Sequence, residues 1–336
     1  MQSNSMETTV AADDGSLTAL LEGVAELMRR NRARRDLDLD RRILRQRHLA
    51  GIRLLQEAPG GAEYATPSFE ALPEGSNPPE VSADALTPEL LRGAILRHGC
   101  LLVRGLIDRD AALGLAGGIQ RAFDARAALA ANESAPEGLY EEFTPEPPFK
   151  PTKRQWVAMA GGLLAADSPP LMFEVLDALE RARFLDVVHG YLGERAALSV
   201  EKTTLRKAEP QVAGGWHQDG SFLGMVRPLN LWLALSRCGD EAPGLDILPR
   251  RLDRVLPAGG EGTNFPIQIH DSDVAEAAAG VRIVRPIFEP GDALVFDELF
   301  LHKTGSDPEM PKARYALESW FFGASSFTSE YTPLAV

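Results

Sequence analysis

The sequence predicts a mostly β protein with flanking helices, in which the strands form an antiparallel arrangement of two sheets. Short apolar runs of strand length follow one another from Ala196 onward, and Gly and Pro residues separate them. These runs show no helical crossover pattern between them, which favours antiparallel over parallel pairing. The predicted strands are Leu198–Arg206, Leu229–Ser236, Gly244–Leu248, Val281–Phe288, Ala293–Asp297 and Ala313–Phe322.

The chain is predicted to divide into a helical N-terminal extension with a Pro/Gly-rich linker, at residues 1–80, and a larger domain at residues 81–336. Residues 1–14 are small and polar, and we expect them to be disordered. Apolar residues then recur twice at helical spacing, before a segment whose Pro and Gly content is typical of a linker. The helical patterns run from Leu17 to Met28 and from Ile43 to Leu55, and the linker from Ala58 to Glu80.

The first part of the larger domain is predicted to combine helices with one strand. A Thr-Pro pair and an Asp residue mark two helix starts. Residues 129–152 hold Pro at several positions and predict a long loop, which is either a lid over a site or a solvated surface loop. The predicted elements are helices at Thr87–Ile95, at Arg109–Ala128 and within residues 170–193, and a strand at Cys100–Val103.

Composition restricts the partners and the compartment. The 336 residues carry a formal net charge of −13, which disfavours nucleic acid and anionic membranes as partners. Of the two cysteines, Cys100 lies in an apolar strand, and a free buried thiol indicates a reducing, cytoplasmic setting. The chain shows neither a secretory signal pattern nor a long apolar run. The basic segment Arg29–Arg35 has acidic neighbours, which favours a solvated helix face over a nucleic-acid patch.

The motif Trp216-His217-Gln218-Asp219 carries the main chemical signal. A His and an Asp two apart in an extended segment point to the same side, so both could bind one metal ion. His302, just past an apolar strand, is a candidate third ligand. Two His and one carboxylate, with open coordination positions, form the facial triad that binds non-haem Fe(II). Arg314 follows downstream, and a guanidinium suits a dicarboxylate co-substrate.

This ordered set resembles the phytanoyl-CoA dioxygenase family of Fe(II)/2-oxoglutarate-dependent oxygenases. The resemblance runs from about Leu86 to about Phe322. It includes Leu101–Leu106 as the first strand and Pro290–Asp297 as the strand that leads to the distal His. Gly244–Pro249 also matches, but Arg250-Arg251-Leu252 stands where the family has Gly-Ser-His.

The resemblance implies a fold and a metal centre. It implies that residues 81–336 form the oxygenase domain, with a double-stranded β-helix (a cupin-like jelly roll) as its core and helices outside one sheet. It further implies that Fe(II) is bound by His217, Asp219 and His302, which would then be the catalytic residues.

The resemblance also implies that 2-oxoglutarate and O2 are co-substrates. Arg314 would bind the distal carboxylate of 2-oxoglutarate, Thr304 would share that carboxylate, and Thr204 would add a polar contact. The implied reaction releases succinate and CO2 and oxidises an unactivated C–H bond of a small molecule. Because Asp219 is present, we predict hydroxylation rather than halogenation, with desaturation, cyclisation and epoxidation left open.

Four further residues are candidates for substrate binding. If Arg314 points inward, alternation along the last strand puts Glu318 and Trp320 on the same face, although one β-bulge would reverse this. A buried Glu is either paired with a structural base or binds a cationic or hydroxylated substrate. We favour a free small molecule with an amine or several hydroxyls facing it. Phe222 and Trp232 flank the first ligands and would form pocket wall or core.

Two other functions compete with the oxygenase hypothesis. One is a metal-binding cupin-type protein, or a non-catalytic small-molecule binding module, that uses no 2-oxoglutarate; Arg314 and Thr304 argue against it. The other is a dioxygenase acting on nucleic acid, which the acidic composition disfavours. His270, near Asp271 and Asp273, is a second potential metal-ligand cluster, but a polar loop makes solvation the favoured interpretation. The N-terminal helices are candidates for a homodimer contact.

Overall fold

A computed structural model describes residues 15–212, 214–223, 226–263 and 265–336. The expected disorder of residues 1–14 therefore concerns residues outside the described part of the chain.

Helices surround the strands in the described part of the chain. The helices are α1 (Leu17–Ala33), α2 (Leu37–Glu57), α3 (Pro88–His98), α4 (Arg109–Ala130), α5 (Gln155–Met159), α6 (Pro169–Arg181), α7 (Phe184–Leu192), α8 (Gly220–Leu223) and α9 (Asp271–Ala278). The strands are β1 (Glu80–Ser82), β2 (Cys100–Arg104), β3 (Gly162–Leu164), β4 (Ala196–Ala208), β5 (Pro228–Ala234), β6 (Gly244–Ile247), β7 (Ala293–Phe296), β8 (His302–Gly305), β9 (Arg314–Gly323) and β10 (Pro333–Ala335).

The strands form one large mixed sheet and one small sheet. The order in the large, eight-stranded sheet is β1-β2-β7-β5-β9-β4-β10, and β3 also pairs with β4. Only the β1–β2 pair is parallel among these described pairs. Strands β6 and β8 form a separate antiparallel pair. The sheet pairing alone does not establish the predicted double-stranded β-helix, which stays a prediction.

The two faces of the large sheet have different partners. On β9, Leu317 and Phe321 belong to the apolar cluster that includes the buried faces of α3, α4, α6 and α7. The alternate residues Ala316 and Trp320 belong to a second cluster, which includes Leu245 and other residues of β6. This period-2 alternation places the large sheet between a helical layer and the small sheet.

The N-terminal helices pack on their own chain. Ser16 caps α1, and the apolar residues of α1 and α2 are buried against each other and against α6. On α2, Arg47 donates to the carbonyl of Ala335, and His48 bonds to that of Pro333, which fastens β10. These helices are thus part of the domain's packing, and the homodimer contact stays a prediction. None of the described helices is both long and apolar enough to span a bilayer.

Two predicted segments differ from the structure. Val281–Phe288 is not a regular strand and makes only two isolated bridges, from Val284 to Ile247 and from Phe288 to Cys238. Pro286 has no N–H to donate and cannot continue a ladder at that point. The polar segment after His270 is a helix, α9, rather than a loop, because acidic residues in its first turn favour a helix N-terminus.

We predict that the contact of α2 with β10 makes Gly51 intolerant of a side chain. A Cβ at Gly51 would lie 2.7 Å from the carbonyl oxygen of Pro333, which is backbone and cannot move freely. Gly51→Ala should therefore lower the free energy of unfolding by about 1–3 kcal/mol despite its better helix propensity. Urea denaturation would measure the change.

Gly23→Ala is the matched control on α1. Its Cβ would meet only the flexible end of Gln46, so the variant should unfold within about 1 kcal/mol of wild type. Equal stability of the two variants would contradict the packing of α2 on β10.

Candidate metal centre

Backbone pairing brings His217 and His302 together. The two residues form an antiparallel bridge, in which each N–H donates to the other's carbonyl at 3.0 and 3.2 Å. Residues paired directly across an antiparallel bridge project their side chains to the same face. The ring centroids are accordingly 4.4 Å apart. Two histidines that are distant in sequence thus become neighbours through main-chain hydrogen bonds.

Asp219 reaches the same point through a turn. We expected an extended segment through His217 and Asp219, but the chain turns at Asp219, whose carbonyl accepts from the N–H groups of Phe222 and Leu223. The turn begins α8 and directs the carboxylate toward both histidines. Its Oδ1 lies 3.9 Å from His217 Nε2, and its Oδ2 lies 3.9 Å from His302 Nε2.

The hydrogen bonds of the two imidazoles leave Nε2 free to bind a metal. His217 Nδ1 is 2.9 Å from the carbonyl of Gly215, and His302 Nδ1 is 3.1 Å from that of Phe300. A carbonyl only accepts, so each Nδ1 carries the proton and each Nε2 presents its lone pair. One ligand atom from each of His217, Asp219 and His302 lies within 4.8 Å of the others.

The buried carboxylate of Asp219 lacks, in the described part of the chain, a partner that would compensate its charge when no cation is bound. Asp219 Oδ2 is buried and has no hydrogen-bond partner among the described residues. Burial raises the pKa of Asp219 to about 6, and the neighbouring His217 partly opposes that rise. Burial, reinforced by His217, lowers the pKa of His302 to about 3, so this imidazole is neutral. A divalent cation would compensate the carboxylate and use both lone pairs, and the residues therefore fit a metal ion.

No second group of this kind forms in the described residues. No other set of three His, Cys, Asp or Glu side chains converges in residues 15–212, 214–223, 226–263 and 265–336. His270 lies at the N-terminal boundary of α9 and does not join such a cluster. The alternative site at His270 is thus not formed.

Gln218 holds the loops around the site and was not singled out by its sequence. The side chain is fully buried. Its Nε2 donates to the carbonyls of Leu299 and Arg254, and its Oε1 accepts from the N–H of Leu256. One amide thereby links the metal-ligand turn to two loops. The sequence offered one indication of this role. Gln218 lies between His217 and Asp219, so its side chain points away from the two metal ligands.

Arg314 is a buried cation without an acidic partner. It is 4% exposed, and its Nη1 donates to the carbonyl of Gly244 at 3.1 Å. Its Nε has no partner, and no described carboxylate lies within 4.0 Å of the guanidinium. Burial lowers the pKa of Arg314 to about 10. An unpaired buried charge is costly, so this group favours an anionic ligand.

Thr304 lies on the small sheet and Thr204 on the large one. Thr304 is two residues past His302 on β8, hence on the same face, and it pairs with Leu245, next to the carbonyl that Arg314 binds. Thr204 is buried on β4, and its hydroxyl has no partner among the described residues. Whether either hydroxyl contacts the co-substrate stays a prediction.

Glu318 is paired with a structural base. It lies opposite Thr204 on one side and Trp232 on the other, so the three share one face of the large sheet. Arg206 donates to its carboxylate from Nε and Nη2 at 3.2 and 2.9 Å. Burial alone would raise the pKa of Glu318, but the charge and hydrogen bonds of Arg206 lower it. Sequence reasoning left this partner open and did not identify Arg206.

The aromatic candidates differ in exposure. Trp320 and Trp232 are buried in the apolar cluster between the sheets, at 1% and 4% exposure. Phe222, on α8, is 36% exposed, and the Nζ of Lys202 lies 4.1 Å from its ring. Sequence reasoning also missed Lys202. Alternation from Thr204 along β4 would have indicated Arg206, but the register of β4 against β9 shifts between Leu198 and Thr203, so alternation does not place Lys202. Whether any of these residues touches substrate stays a prediction.

We predict that metal affinity falls as the pH drops through about 6. The pKa of Asp219, raised to about 6, means that protons compete with the metal below that pH. Affinity for Fe(II), measured anaerobically by calorimetry, should be near its plateau above pH 7 and fall about tenfold per pH unit below 6.

Asp219→Asn is the control for this pH dependence. It should bind Fe(II) weakly and lose the pH dependence that Asp219 causes. The metal-free variant should also be more thermostable than wild type at pH 8, because an uncompensated buried carboxylate is removed. Affinity that does not change between pH 5 and 7 would contradict the assignment.

Comparisons with known proteins complete this description. No known family model matches the chain, and no curated protein matches it in sequence. Among solved structures, EctD from S. alaskensis with 2-oxoglutarate and 5-hydroxyectoine is similar at 18% identity, covering 80% of this chain and 86% of EctD, with a TM-score of 0.51. EctD with bound Fe is similar at 19% identity, over 81% and 88% of the two chains, with a TM-score of 0.51. The chain therefore shares the fold of a protein crystallised with Fe and with 2-oxoglutarate, and its own His–Asp–His group could hold iron.

Proposed function

We propose that this protein is an Fe(II)- and 2-oxoglutarate-dependent dioxygenase of the phytanoyl-CoA dioxygenase type. It oxidises an unactivated C–H bond of a small-molecule metabolite or natural-product intermediate, by hydroxylation, and releases succinate and CO2. The convergence of His217, Asp219 and His302 carries the proposal, because their free ligand atoms lie within 4.8 Å of one another. Two imidazoles and one carboxylate leave coordination positions open for a co-substrate and O2.

Arg314 supports 2-oxoglutarate as the co-substrate. A buried guanidinium with an unpartnered Nε is suited to one end of a dicarboxylate. Its bond to the carbonyl of Gly244 fixes the head group beside β8, where Thr304 shares the face of His302. The hydroxyls of Thr304 and Thr204 can donate to the same anion. The likeness to EctD, crystallised with 2-oxoglutarate, adds support at the level of fold.

The chain's own contribution is to orient ligands and exclude water. Bound Fe(II), with 2-oxoglutarate and O2, supplies the oxidising chemistry. The carbonyls of Gly215 and Phe300 hold the two imidazoles in the tautomer that can bind metal. The ring of Phe296 packs 4.9 Å from that of His302 and excludes water from the inner side of the site. A dry site strengthens the interaction of Asp219 and Arg314 with their ligands.

The retained carboxylate of Asp219 favours hydroxylation over halogenation, which needs an open position for halide. The pairing of Glu318 with Arg206 removes the main reason to expect an amine on the substrate, because this carboxylate is already neutralised. A small-molecule substrate remains our proposal, with neither nucleic acid nor membrane as partner and with a cytoplasmic location.

We predict that an anaerobic titration of Fe(II) and 2-oxoglutarate will produce the weak visible charge-transfer band of the iron chelate. His217→Ala should abolish the band, because a metal ligand is lost. Arg314→Ala should need at least about tenfold more 2-oxoglutarate, since a charge-assisted hydrogen bond is worth roughly 1.5–3 kcal/mol. Absorbance of the apo-protein at fixed Fe(II) and increasing 2-oxoglutarate measures both effects.

Arg285→Ala is the matched control, because Arg285 already pairs with Asp246 beside the same small sheet. It should leave the 2-oxoglutarate requirement unchanged. If wild type binds Fe(II) but shows no band, 2-oxoglutarate is not the co-substrate. The alternative, a cupin-type metal protein or a binding module without 2-oxoglutarate, would then be the better account.

A further inference from the structure

Lys202 places an ammonium group beside the candidate metal centre. It lies on β4, two residues before Thr204. Its Nζ is 4.1 Å from the ring centroid of Phe222, three residues past the metal ligand Asp219. The rings of Trp156 and Tyr331 lie 5.2 and 5.4 Å away. The ammonium thus lies among three aromatic rings, one of which belongs to the helix that follows Asp219.

Lys202 forms no ion pair within 4.0 Å in residues 15–212, 214–223, 226–263 and 265–336, whereas Lys207, Lys303 and Lys312 each do. Burial lowers the pKa of Lys202, although the more distant charges of Asp219 and Glu318 oppose this. The group is partly removed from water without an acidic partner at contact distance. Such an environment favours the arrival of an anion.

The nearby carboxylates are each occupied by other partners. Glu318 accepts two hydrogen bonds from Arg206. The carboxylate of Glu201 accepts from the hydroxyls of Thr152, Ser199 and Thr332. Asp219 is a metal ligand in the proposed function. None of them contacts the ammonium of Lys202 within 4.0 Å, although the charge of Glu201, which neutral hydroxyls do not cancel, also acts on it.

A charge count of the loaded site shows which charged groups compensate one another. Fe(II) and Arg314 together carry three positive charges, which Asp219 and doubly ionised 2-oxoglutarate balance with three negative charges. Glu318 and Arg206 cancel each other. Lys202 and Glu201 remain with opposite charges, but hydroxyl groups occupy the Glu201 carboxylate, so the N–H donors of Lys202 stay open to an anion.

We propose that Lys202 binds an anionic oxygen group of the substrate, either a carboxylate or a phosphate monoester. The inference rests on the proposed function, and it names the substrate class for the same site. The ammonium donates to the anion, while the rings of Phe222 and Trp156 contact the apolar part of the substrate. Those two rings are 36% and 39% exposed, which leaves apolar surface free beside the cation.

The aromatic rings alone do not satisfy this ammonium. A cation over an aromatic face at a partly exposed site is stabilised less than a cation that donates a hydrogen bond to a charged group. Lysine carries three N–H donors, and rings offer these donors only weak acceptors. An oxyanion would therefore supply the strong hydrogen-bond acceptors that the aromatic rings around Lys202 do not provide.

Calorimetry on the anaerobic protein loaded with Fe(II) and 2-oxoglutarate tests the proposal. Occupied Arg314 then cannot bind the probes, which are benzoate, phenyl phosphate and the neutral benzamide. Benzoate or phenyl phosphate should bind at least about tenfold more tightly than benzamide, because charge-assisted hydrogen bonds are lost in the amide. Whichever anion binds more tightly identifies the oxyanion.

Variants assign the binding to Lys202. Lys202→Met keeps the length of the side chain and should weaken binding of the preferred anion at least about tenfold, whereas Lys202→Arg keeps the charge and should weaken it less than about threefold. Lys207→Met, at a lysine of the same strand that already pairs with Glu209, controls for general electrostatics and should change nothing.

Two results would overturn the proposal. One is that neither anion binds better than benzamide, and the other is that Lys202→Met binds the anion as wild type does. The visible band of the iron chelate, recorded on the same samples, keeps this failure separate from that of the proposed function. A band without anion binding rejects only the role of Lys202, whereas no band in wild type rejects the oxygenase assignment itself.

Discussion

The site depends on the reciprocal main-chain hydrogen bonds between His217 and His302. This single antiparallel bridge joins the segment after β4 to the start of β8 and fixes the separation of the two imidazoles. The turn at Asp219 and the amide of Gln218 then position the third ligand against the same pair. Main-chain bonds hold these groups without a metal, so the site is preorganised and needs little ordering when a ligand binds.

The same neighbourhood holds three charges that the polypeptide leaves without an ion-pair partner at hydrogen-bonding distance: Asp219, Arg314 and Lys202. Elsewhere the described chain pairs buried charges, as Arg47 does with Glu180 and Asp297 with Arg251. Unpaired buried charge lowers the stability of the ligand-free protein, and proteins tolerate it chiefly where function requires it. A cation at Asp219, a dicarboxylate at Arg314 and a substrate anion at Lys202 would resolve all three.

The sequence predicted the residues of the site well where the chemistry requires a short ordered motif. It predicted less where contacts between distant elements determine a residue's partner. The spacing of His217, Asp219 and His302 selected three residues that the fold brings together. Alternation along β9 put Glu318 on the face that carries Ala316 and Trp320, and these two residues do belong to one apolar cluster. The partner of Glu318 could not be read, because Arg206 reaches it only through the pairing of β4 with β9. Short strands such as β8 and β10 have too few residues to show a period-2 pattern. The segment Val281–Phe288 has the apolar content of a strand, but Pro286 lacks the N–H that a continuous ladder needs.

Anomalous diffraction from crystals grown anaerobically with Fe(II) and 2-oxoglutarate would test the central claim most directly. The account predicts one iron peak, at about 2.0–2.2 Å from His217 Nε2, from His302 Nε2 and from an oxygen of Asp219. It also predicts that the distal carboxylate of 2-oxoglutarate contacts the guanidinium of Arg314. Iron bound elsewhere, or 2-oxoglutarate absent from Arg314 while iron occupies the three ligands, would contradict the account.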